Sequence, residues 1–215
     1  MPFGVDEAGK GPVFGSMFAA AVYVEDESRL PAGLDDSKNL SPTRRQELAT
    51  ALRANDGIAI GLAEIPVSRI DDPTTDMNSL TVAAHAEAID DAVGDLESPA
   101  GLCDACDTDA DRFARRVDEA CTVEATVDAR HGADGESAVV AAASVIAKVS
   151  RDSHVDALAE EYGEVGSGYP GDRATRTFLE SYVDEHGELP PFARASWSTC
   201  EDVLAAASQT GLGDF

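Results

Sequence analysis

Two adjacent carboxylates near the amino terminus constrain the fold of this chain more than any other feature. Asp6 and Glu7 follow Phe3 and Val5, which are typical of the end of a short buried strand, and precede the turn Gly9-Lys10-Gly11. Side chains at adjacent strand positions point to opposite faces of a sheet. If both faces are covered, both carboxylates leave water, which is costly unless they are paired or bind a metal. The sequence therefore predicts a metal ion at the end of the first strand.

Three other interpretations of this segment remain open from the residues alone. An acidic chain produces Asp-Glu pairs by chance, so the pair could be a solvated strand edge. The run from Gly4 to Gly11 nearly fits a phosphate-binding loop, but Gly11 stands where that loop requires Ser or Thr. Gly9 and Gly11 could also form a simple turn, because glycine readily adopts positive φ.

The net charge of the chain indicates the salt concentration to which the protein is adapted, rather than the ligand that it binds. Its 215 residues include 41 acidic and 16 basic side chains, a formal net charge of −25, which would normally argue against nucleic acid. Only Lys10, Lys38 and Lys148 are lysines, and a lysine-poor, acid-rich composition is typical of proteins adapted to molar salt. At about 1 M salt the Debye length is only about 3 Å. Local contacts then decide binding, and all three lysines lie in motif-like surroundings.

Length, hydropathy and cysteine usage place the chain in a broad class. The length suits one domain, or one domain with a small appendage. The sequence contains no apolar run long enough to cross a bilayer and no signal segment, so we expect a soluble cytoplasmic protein without membrane contact. Cys103 and Cys106 have zinc-like spacing, but no second pair completes a site. With Cys121 and Cys200, they are best interpreted as free thiols in a reducing compartment.

The order of predicted elements favours an α/β fold. Ser41 followed by Pro42 is typical of a helix start. Three antiparallel strands precede alternating helices and strands, which implies a mixed sheet with helices on both faces. After the first strand, the predicted strands span residues 13–24, 58–67, 100–106 and 121–127. The predicted helices span residues 43–54, 75–93, 109–120, 138–161, 173–185 and 196–208.

Acidic residues recur where predicted strands end or helices begin. Asp104 and Asp134 join Asp6 and Glu7 in this respect, and strand ends converge at one edge of such a sheet. Four gathered carboxylates would repel one another without cations, and oxygen-only ligands favour Mg²⁺ or Mn²⁺. Two such ions about 4 Å apart would suit phosphodiester hydrolysis. Two alternatives stay open: a calcium loop from Asp107, although Arg112 replaces its glycine, and a dipole-stabilising role for Asp134 at a helix start.

Six motifs, in order along nearly the whole chain, resemble the archaeal form of the ribonuclease HII (type 2 ribonuclease H) family. They are Asp6-Glu7-Ala8-Gly9-Lys10-Gly11-Pro12, Asp36-Ser37-Lys38, Met77-Asn78-Ser79-Leu80, Asp104-Ala105-Cys106-Asp107, the segment from Ala142 to Asp152, and Gly166-Ser167-Gly168-Tyr169-Pro170. With the composition, the resemblance points to a salt-adapted source. It implies a ribonuclease H-like mixed sheet flanked by helices. The expected parts are a catalytic domain over residues 1–165, a helical part packed on it over 166–208, and a tail over 209–215.

The resemblance also implies an activity and a set of site residues. The family cleaves RNA in RNA–DNA hybrids and cuts at single ribonucleotides in duplex DNA, leaving 5′-phosphate and 3′-hydroxyl ends. Asp6, Glu7, Asp104 and Asp134 would be the metal-binding catalytic acids, with Glu136 as the substitute for Asp134. The implied metals are Mg²⁺ or Mn²⁺ in a two-metal site, and the protein would be a monomer. The implied substrate-binding residues are Gly9, Lys10, Gly11, Lys38, Asn78, Ser144, Lys148, Arg151 and Tyr169.

The last seven residues carry a separate signal. Gln209, Leu212 and Phe215 resemble a shortened sliding-clamp binding box, with Leu212 and Phe215 filling an apolar pocket. A frayed or core-docked end is the alternative. For the whole chain, two rival functions remain: another two-metal nuclease that reads DNA structure rather than ribose, and an acidic module that binds divalent cations or a clamp without turnover.

Overall fold

The protein forms a five-stranded mixed sheet with helices on both faces. The structure, a computed structural model, describes residues 3–34, 39–94 and 96–208, together with the backbone of 209–210. Lys38, Leu212, Phe215 and the side chain of Gln209 lie outside the described residues. The strands are β1 (Phe3–Ala8), β2 (Met17–Val24), β3 (Ile58–Ile65), β4 (Ala100–Asp104) and β5 (Thr126–Arg130). The helices are α1 (Pro42–Arg53), α2 (Val67–Ile70), α3 (Met77–Val93), α4 (Ala110–Ala120), α5 (Ala138–Tyr162), α6 (Arg173–His186) and α7 (Ser198–Thr210).

The first strand lies at the centre of the sheet. The strand order is β3-β2-β1-β4-β5, in which β2 runs antiparallel to both β1 and β3. β4 runs parallel to β1, and β5 runs parallel to β4. The carboxyl ends of β1, β4 and β5 therefore meet at one edge of the sheet, which confirms the predicted fold class.

The two faces of β1 are covered by different helices. Phe3 and Val5 are buried in a hydrophobic cluster that includes residues of α3 and α4. On the opposite face, a Cβ atom at Gly4 would lie 2.5 Å from the backbone nitrogen of Val140 at the start of α5. Only glycine allows this close approach of helix and strand. The approach brings the middle of α5 alongside the end of β1.

Side chains cap the starts of two helices, and the first of these caps confirms the prediction made for Ser41. Ser41 caps α1, since its Oγ accepts a hydrogen bond of 3.2 Å from the backbone nitrogen of Arg44. Asp76 caps α3 by accepting hydrogen bonds from the backbone nitrogens of Asn78 and Ser79. Each cap satisfies backbone donors that the first helical turn leaves unpaired. Helix α3 therefore begins at Met77, two residues after the predicted start.

Two predicted strands have different bounds in the structure. β2 begins at Met17, because the preceding residues pair with the carboxy-terminal part: Gly15 donates a 2.8 Å backbone hydrogen bond to Phe192. The strand predicted over 121–127 was wrong in position, since β5 spans Thr126–Arg130. Apolar Val123 packs against the core from the preceding loop, while β5 is an exposed edge strand with few apolar residues. The apolar pattern in the sequence therefore marked the partly buried loop before β5 rather than the strand itself.

The helices after residue 166 surround a hydrophobic cluster separate from the one that contains Phe3 and Val5. Phe14, from the loop between β1 and β2, packs edge-on against Phe192 with ring centroids 5.2 Å apart. Leu179 of α6 and Val203 of α7 join the same cluster. This shared core supports our proposal that residues 166–208 form a helical part packed on the first 165. Among the described helices, none combines the length and apolar character needed to span a membrane.

Candidate active site

Three carboxylates from separate parts of the chain meet at the edge where the parallel strands end. Asp6 lies on β1, Asp104 is the last residue of β4, and Asp134 lies on the one-turn 3₁₀ helix Ala133–Gly135 before α5. Each offers one carboxylate oxygen, and these oxygens all lie within 4.8 Å of one another. This spacing suits ligands around a shared cation, and two of the three acids, Asp6 and Asp134, are buried.

Strand register and one hydrogen bond bring these acids together. Val5 of β1 faces Cys103 of β4 in a parallel pair, so the next residues, Asp6 and Asp104, follow side by side. The backbone nitrogen of Ala133 donates a 2.9 Å hydrogen bond to Oδ1 of Asp104. That bond ties the turn carrying Asp134 to the end of β4, and Asp134 is only 4% exposed.

Glu7 projects from the opposite face of β1, as strand alternation requires. Its Oε2 lies 2.8 Å from Nε2 of His85, a fully buried residue of α3. The Glu7 carboxylate is not part of the close three-acid group, yet Glu7 lines the same cavity as Asp6 and Asp104. Sequence reasoning missed His85, because a histidine within an apolar helix carries no local signal of its contact.

Burial and like charges oppose ionisation of the acids. Asp6 is 4% exposed, and burial, followed by the charge of Glu7, raises the pKa of its carboxyl to about 7. Burial is also the first cause that raises the pKa of Asp104, with the charges of Asp134 and Glu7 adding to it. Carboxylates crowded in this way are stabilised by a nearby cation. The donor set is oxygen only, so the residues fit Mg²⁺ or Mn²⁺.

Two side chains of α5 lie against the acids. The Nζ atom of Lys148 lies 3.9 Å from Oδ2 of Asp6 and donates a 2.7 Å hydrogen bond to Oγ of Ser144. The Lys148 charge and a hydrogen bond from Ser144 both lower the pKa of Asp6, but less than burial raises it. Both residues were predicted to bind substrate. Lys148 lines the cavity, but Ser144 is 0% exposed, so it contacts the site through Lys148 and Asp6 rather than touching a substrate itself.

The glycine turn lies along the rim of the same cavity. Gly9 has a φ of +89°, a left-handed conformation that favours glycine. The Nζ atom of Lys10 donates hydrogen bonds of 3.1 Å to Oδ1 of Asn78 and 3.3 Å to the carbonyl oxygen of Cys106. The predicted substrate residues Lys10 and Asn78 are therefore in direct contact, although the sequence separates them widely.

An arginine that the sequence analysis did not single out braces this turn. Arg194 is fully buried, and its guanidinium donates hydrogen bonds of 2.6, 3.0 and 2.9 Å to the carbonyl oxygens of Gly9, Lys10 and Gly15. Its Cζ also lies 5.0 Å from the ring centroid of Trp197. Burial lowers the pKa of Arg194 to about 10, so it remains charged at neutral pH. No sequence pattern links position 194 to position 9.

Tyr169 stands at the mouth of the cavity with 43% of its surface exposed. The Cζ of Arg151 lies 5.0 Å from its ring centroid, and Arg151 also donates a hydrogen bond to the carbonyl oxygen of Ser167. The backbone nitrogen of Val13 donates a 2.8 Å hydrogen bond to the carbonyl oxygen of Gly168. The tyrosine loop is thus held beside the glycine turn.

Most predicted site residues line one cavity of about 580 Å³. Three other predicted residues contact residues that line the cavity. Asn78 bonds to Lys10, Ser144 bonds to Lys148, and Asp134 lies beside Asp6 and Asp104. Glu136, the alternative fourth acid, is exposed. Arg45 and Asp152 also line the cavity, although no role was predicted for either residue. The predicted residues among the lining are Asp6, Glu7, Gly9, Lys10, Gly11, Asp104, Lys148, Arg151 and Tyr169.

The segment that resembles a calcium loop has another structure. Asp107 forms an ion pair with Arg112, which lies on α4, and Asp109 caps that helix. The hydrogen bond from Arg112 is the main reason that the pKa of Asp107 falls to about 2. Its carboxylate is committed to an arginine, which argues against a calcium loop here. His131 contacts the carbonyl oxygen of Asp107 at 2.7 Å.

Known proteins are similar to this one in sequence and in structure over almost the whole chain. The family model described as Ribonuclease HII matches residues 3–200. The Ribonuclease HII of Haloarcula marismortui is 60% identical over 215 residues, covering 100% of both chains. The crystal structure of ribonuclease H2 from Pyrococcus horikoshii OT3 has a TM-score of 0.87 at 34% identity, covering 96% of this chain and 98% of that chain. The PCNA:RNase HII complex from Archaeoglobus fulgidus gives a TM-score of 0.82 at 34% identity, covering 94% and 96%.

Proposed function

The chain belongs to the ribonuclease HII family and is an endoribonuclease that acts on RNA–DNA hybrids, and from that premise we propose its mechanism and its finer specificity. We propose that Asp6, Glu7, Asp104 and Asp134 bind Mg²⁺ or Mn²⁺ in a two-metal site. The observation that carries this proposal is the meeting of three acid oxygens within 4.8 Å of one another, in a cavity also lined by Glu7.

The chemistry divides between the cations and the residues around them. Divalent ions, when bound, activate the attacking water and stabilise charge on the phosphodiester. Asp6 and Asp104 would hold those ions at the ends of the parallel strands. Lys148, which lies 3.9 Å from Asp6, offsets phosphate charge in the same place. The products have 5′-phosphate and 3′-hydroxyl ends.

Ribose recognition belongs to the glycine turn and the neighbouring tyrosine. The backbone of Gly9-Lys10-Gly11 lines the cavity, and a Cβ at Gly11 would lie 3.8 Å from the Tyr169 ring. A 2′-hydroxyl both donates and accepts hydrogen bonds, and it distinguishes RNA from DNA. Backbone groups in this turn can read it, while Tyr169 stacks on the adjoining sugar. The enzyme therefore cuts at single ribonucleotides in duplex DNA as well as in longer hybrids.

The cationic and polar side chains around the cavity hold the nucleic-acid backbone. Lys148 and Arg151 line the cavity from α5, and Lys10 lines it from the glycine turn, beside Asn78. Ser144 is fully buried, so its part is to hold Lys148 rather than to touch the nucleic acid. Lys38 has the same proposed role and lies outside the described residues. With a net charge of −25, these local contacts need a salt concentration that screens the remaining surface. We place the enzyme in the cytoplasm of a salt-adapted organism, as a monomer that removes RNA primers and misincorporated ribonucleotides.

The carboxy-terminal tail is the proposed attachment to a sliding clamp. The Archaeoglobus fulgidus relative was solved as a PCNA:RNase HII complex. Gln209, Leu212 and Phe215 carry the resemblance to a clamp-binding box in this chain. Deleting residues 209–215 should abolish binding to the clamp of the same organism, measured by surface plasmon resonance. Cleavage of a short duplex should stay unchanged, since the deletion removes none of the cavity residues; retained clamp binding would refute the assignment.

Cleavage of a duplex with one embedded ribonucleotide tests the main proposal. The enzyme, in molar KCl with Mg²⁺ or Mn²⁺, should cut this duplex and leave the all-DNA duplex intact. Asp104→Asn should lower the rate at least about 100-fold, because it removes a carboxylate from the proposed metal site. Asp128→Asn, an exposed acid on β5, is the matched control and should retain the wild-type rate. Cutting of the all-DNA duplex would favour a structure-reading nuclease, and no turnover with either metal would favour a binding module.

A further inference from the structure

A histidine outside the four acids contacts one of them directly. His85 is 0% exposed, and its Nε2 lies 2.8 Å from Oε2 of Glu7. The ring lies edge-on to Phe113, with centroids 5.1 Å apart and an interplanar angle of 84°. The contact therefore joins helix α3, behind the sheet, to the end of the central strand.

The other ring nitrogen shows that packing alone does not account for this residue. Nδ1 of His85 is buried and makes no hydrogen bond to any residue that the structure describes. A buried polar atom without a partner lowers stability, whereas an apolar ring of similar shape would avoid that loss. The neighbours of His85 on α3, Ala84 and Ala88, belong to the hydrophobic cluster. What His85 adds at this place, relative to such a ring, is its hydrogen bond to Glu7.

The hydrogen bond defines the orientation of the carboxylate. With Nε2 protonated, His85 donates to Oε2 of Glu7, and Nδ1 is left as a bare acceptor. The backbone of β1 and the rigid position of α3 hold the two ends of this contact, so the rotamer of Glu7 is restricted. Oε1 is then the oxygen that His85 does not engage, and Glu7 lines the cavity.

We propose that His85 is a positioning residue that holds Glu7 ready for metal binding. This inference rests on the proposed function, because it assumes that Glu7 is a metal ligand. Groups that orient metal ligands typically change metal affinity or activity by about 10–100-fold when removed. His85 acts through Glu7. Within the described part of the chain, its hydrogen bond is to Glu7 and not to Asp6, Asp104 or Asp134.

Three variants separate orientation from packing. His85→Phe keeps a buried ring and removes the hydrogen bond, while His85→Gln keeps a donor that reaches about as far as Nε2. Phe113→Leu disturbs the packing around His85 and leaves its bond to Glu7 in place. Each variant is measured for Mn²⁺ affinity by electron paramagnetic resonance, for kcat and KM on the single-ribonucleotide duplex, and for thermal stability.

His85→Phe should weaken Mn²⁺ binding and lower kcat, each by about 10–100-fold, with an unchanged KM for the duplex. Its melting temperature should stay close to that of the wild type, because removal of the unpaired Nδ1 offsets the loss of the bond to Glu7. His85→Gln should recover most of the loss, and Phe113→Leu should lower the melting temperature alone. In a Glu7→Gln background, His85→Phe should cause no further loss, since the two residues act as one unit.

Two results would overturn the inference: unchanged Mn²⁺ affinity and kcat in His85→Phe, or a His85→Gln variant as impaired as His85→Phe. The wild-type protein distinguishes these results from a failure of the proposed function. If the wild type binds Mn²⁺ but does not cut the duplex, the proposed function fails, and Mn²⁺ affinities still decide the role of His85. If the wild type binds no Mn²⁺, both proposals fail.

Discussion

At the scale of single residues, two neighbours in the chain have different surroundings. Asp6 faces α5, where Ser144 and Lys148 reach it, while Glu7 faces α3 and contacts His85. The alternation of a strand explains this division, so the sequence alone could predict that the two carboxylates diverge. It could not predict the partners, because contacts between residues far apart in the chain depend on the packing of helices on the sheet.

The buried carboxyl of Asp6 predicts that metal binding is linked to pH. Its pKa is raised from 3.8 to about 7, chiefly by burial, so the metal-free site holds a proton in acidic solution. A metal ion needs the carboxylate and must displace that proton. Mn²⁺ affinity should therefore fall as the pH drops below about 7, and binding should release a proton there.

Calorimetry in buffers of different ionisation enthalpy measures the protons released. At pH 6 we expect release on Mn²⁺ binding, and above pH 8 we expect none from this group. Asp6→Asn should remove its share of the release. Proton release that is the same at pH 6 and pH 9 would contradict the assignment of the raised pKa to this site.

At the scale of elements, the cap of α1 was predictable from the sequence, whereas the position of the exposed edge strand β5 was not. Ser41 at the start of α1 satisfies backbone donors through its own side chain, which is a local effect visible in sequence. β5 contains Asp128 and Arg130, because a strand at the sheet edge does not need apolar residues on both faces. The glycine turn is an intermediate case. The sequence predicted a turn at Gly9-Lys10-Gly11, but it did not predict the hydrogen bonds from Arg194.

The three hydrogen bonds of Arg194 predict that the glycine turn depends on it. Arg194→Met should leave the carbonyl oxygens of Gly9, Lys10 and Gly15 without this buried donor. Each such group costs about 1–3 kcal/mol when unsatisfied, so the free energy of unfolding should fall by several kcal/mol unless water enters. KM for the single-ribonucleotide duplex should rise as well, because the turn loses its shape.

Urea denaturation and steady-state kinetics measure the two effects of Arg194→Met. Arg176→Met, on the exposed surface of α6, is the control and should change the free energy of unfolding by no more than about 0.5 kcal/mol. Equal stabilities for the two variants would show that the carbonyl oxygens find other partners.

At the scale of the whole molecule, the excess of acidic residues affects the stability of the entire fold, whereas the candidate active site depends on a few local contacts. The formal charge of −25 is concentrated in 215 residues, and repulsion among the carboxylates opposes the compact state at low ionic strength. The architecture could be predicted from the order of elements, since alternating strands and helices restrict how a sheet can be covered. The position of the carboxy-terminal helices could not, because their core residue Phe14 comes from a loop near the opposite end of the chain.

The charge predicts that salt stabilises the protein strongly up to about 1 M. The Debye length falls from about 10 Å at 0.1 M to about 3 Å at 1 M, which screens most repulsion between surface acids. Each 1 kcal/mol gained should raise the melting temperature by about 2–4 °C for a chain of this size. Calorimetric scans in 0.1–3 M KCl should show a steep rise followed by a plateau, and a melting temperature independent of KCl would contradict this explanation.

The brace from Arg194 to Gly9 and Lys10 has a consequence for synthesis on the ribosome. The glycine turn leaves the exit tunnel well before the side chain that shapes it, because Arg194 follows Gly9 by 185 residues. Nascent chains fold as they emerge, with early segments waiting for later partners. The glycine turn of the nascent polypeptide therefore reaches its final shape only after Arg194 has emerged from the ribosome.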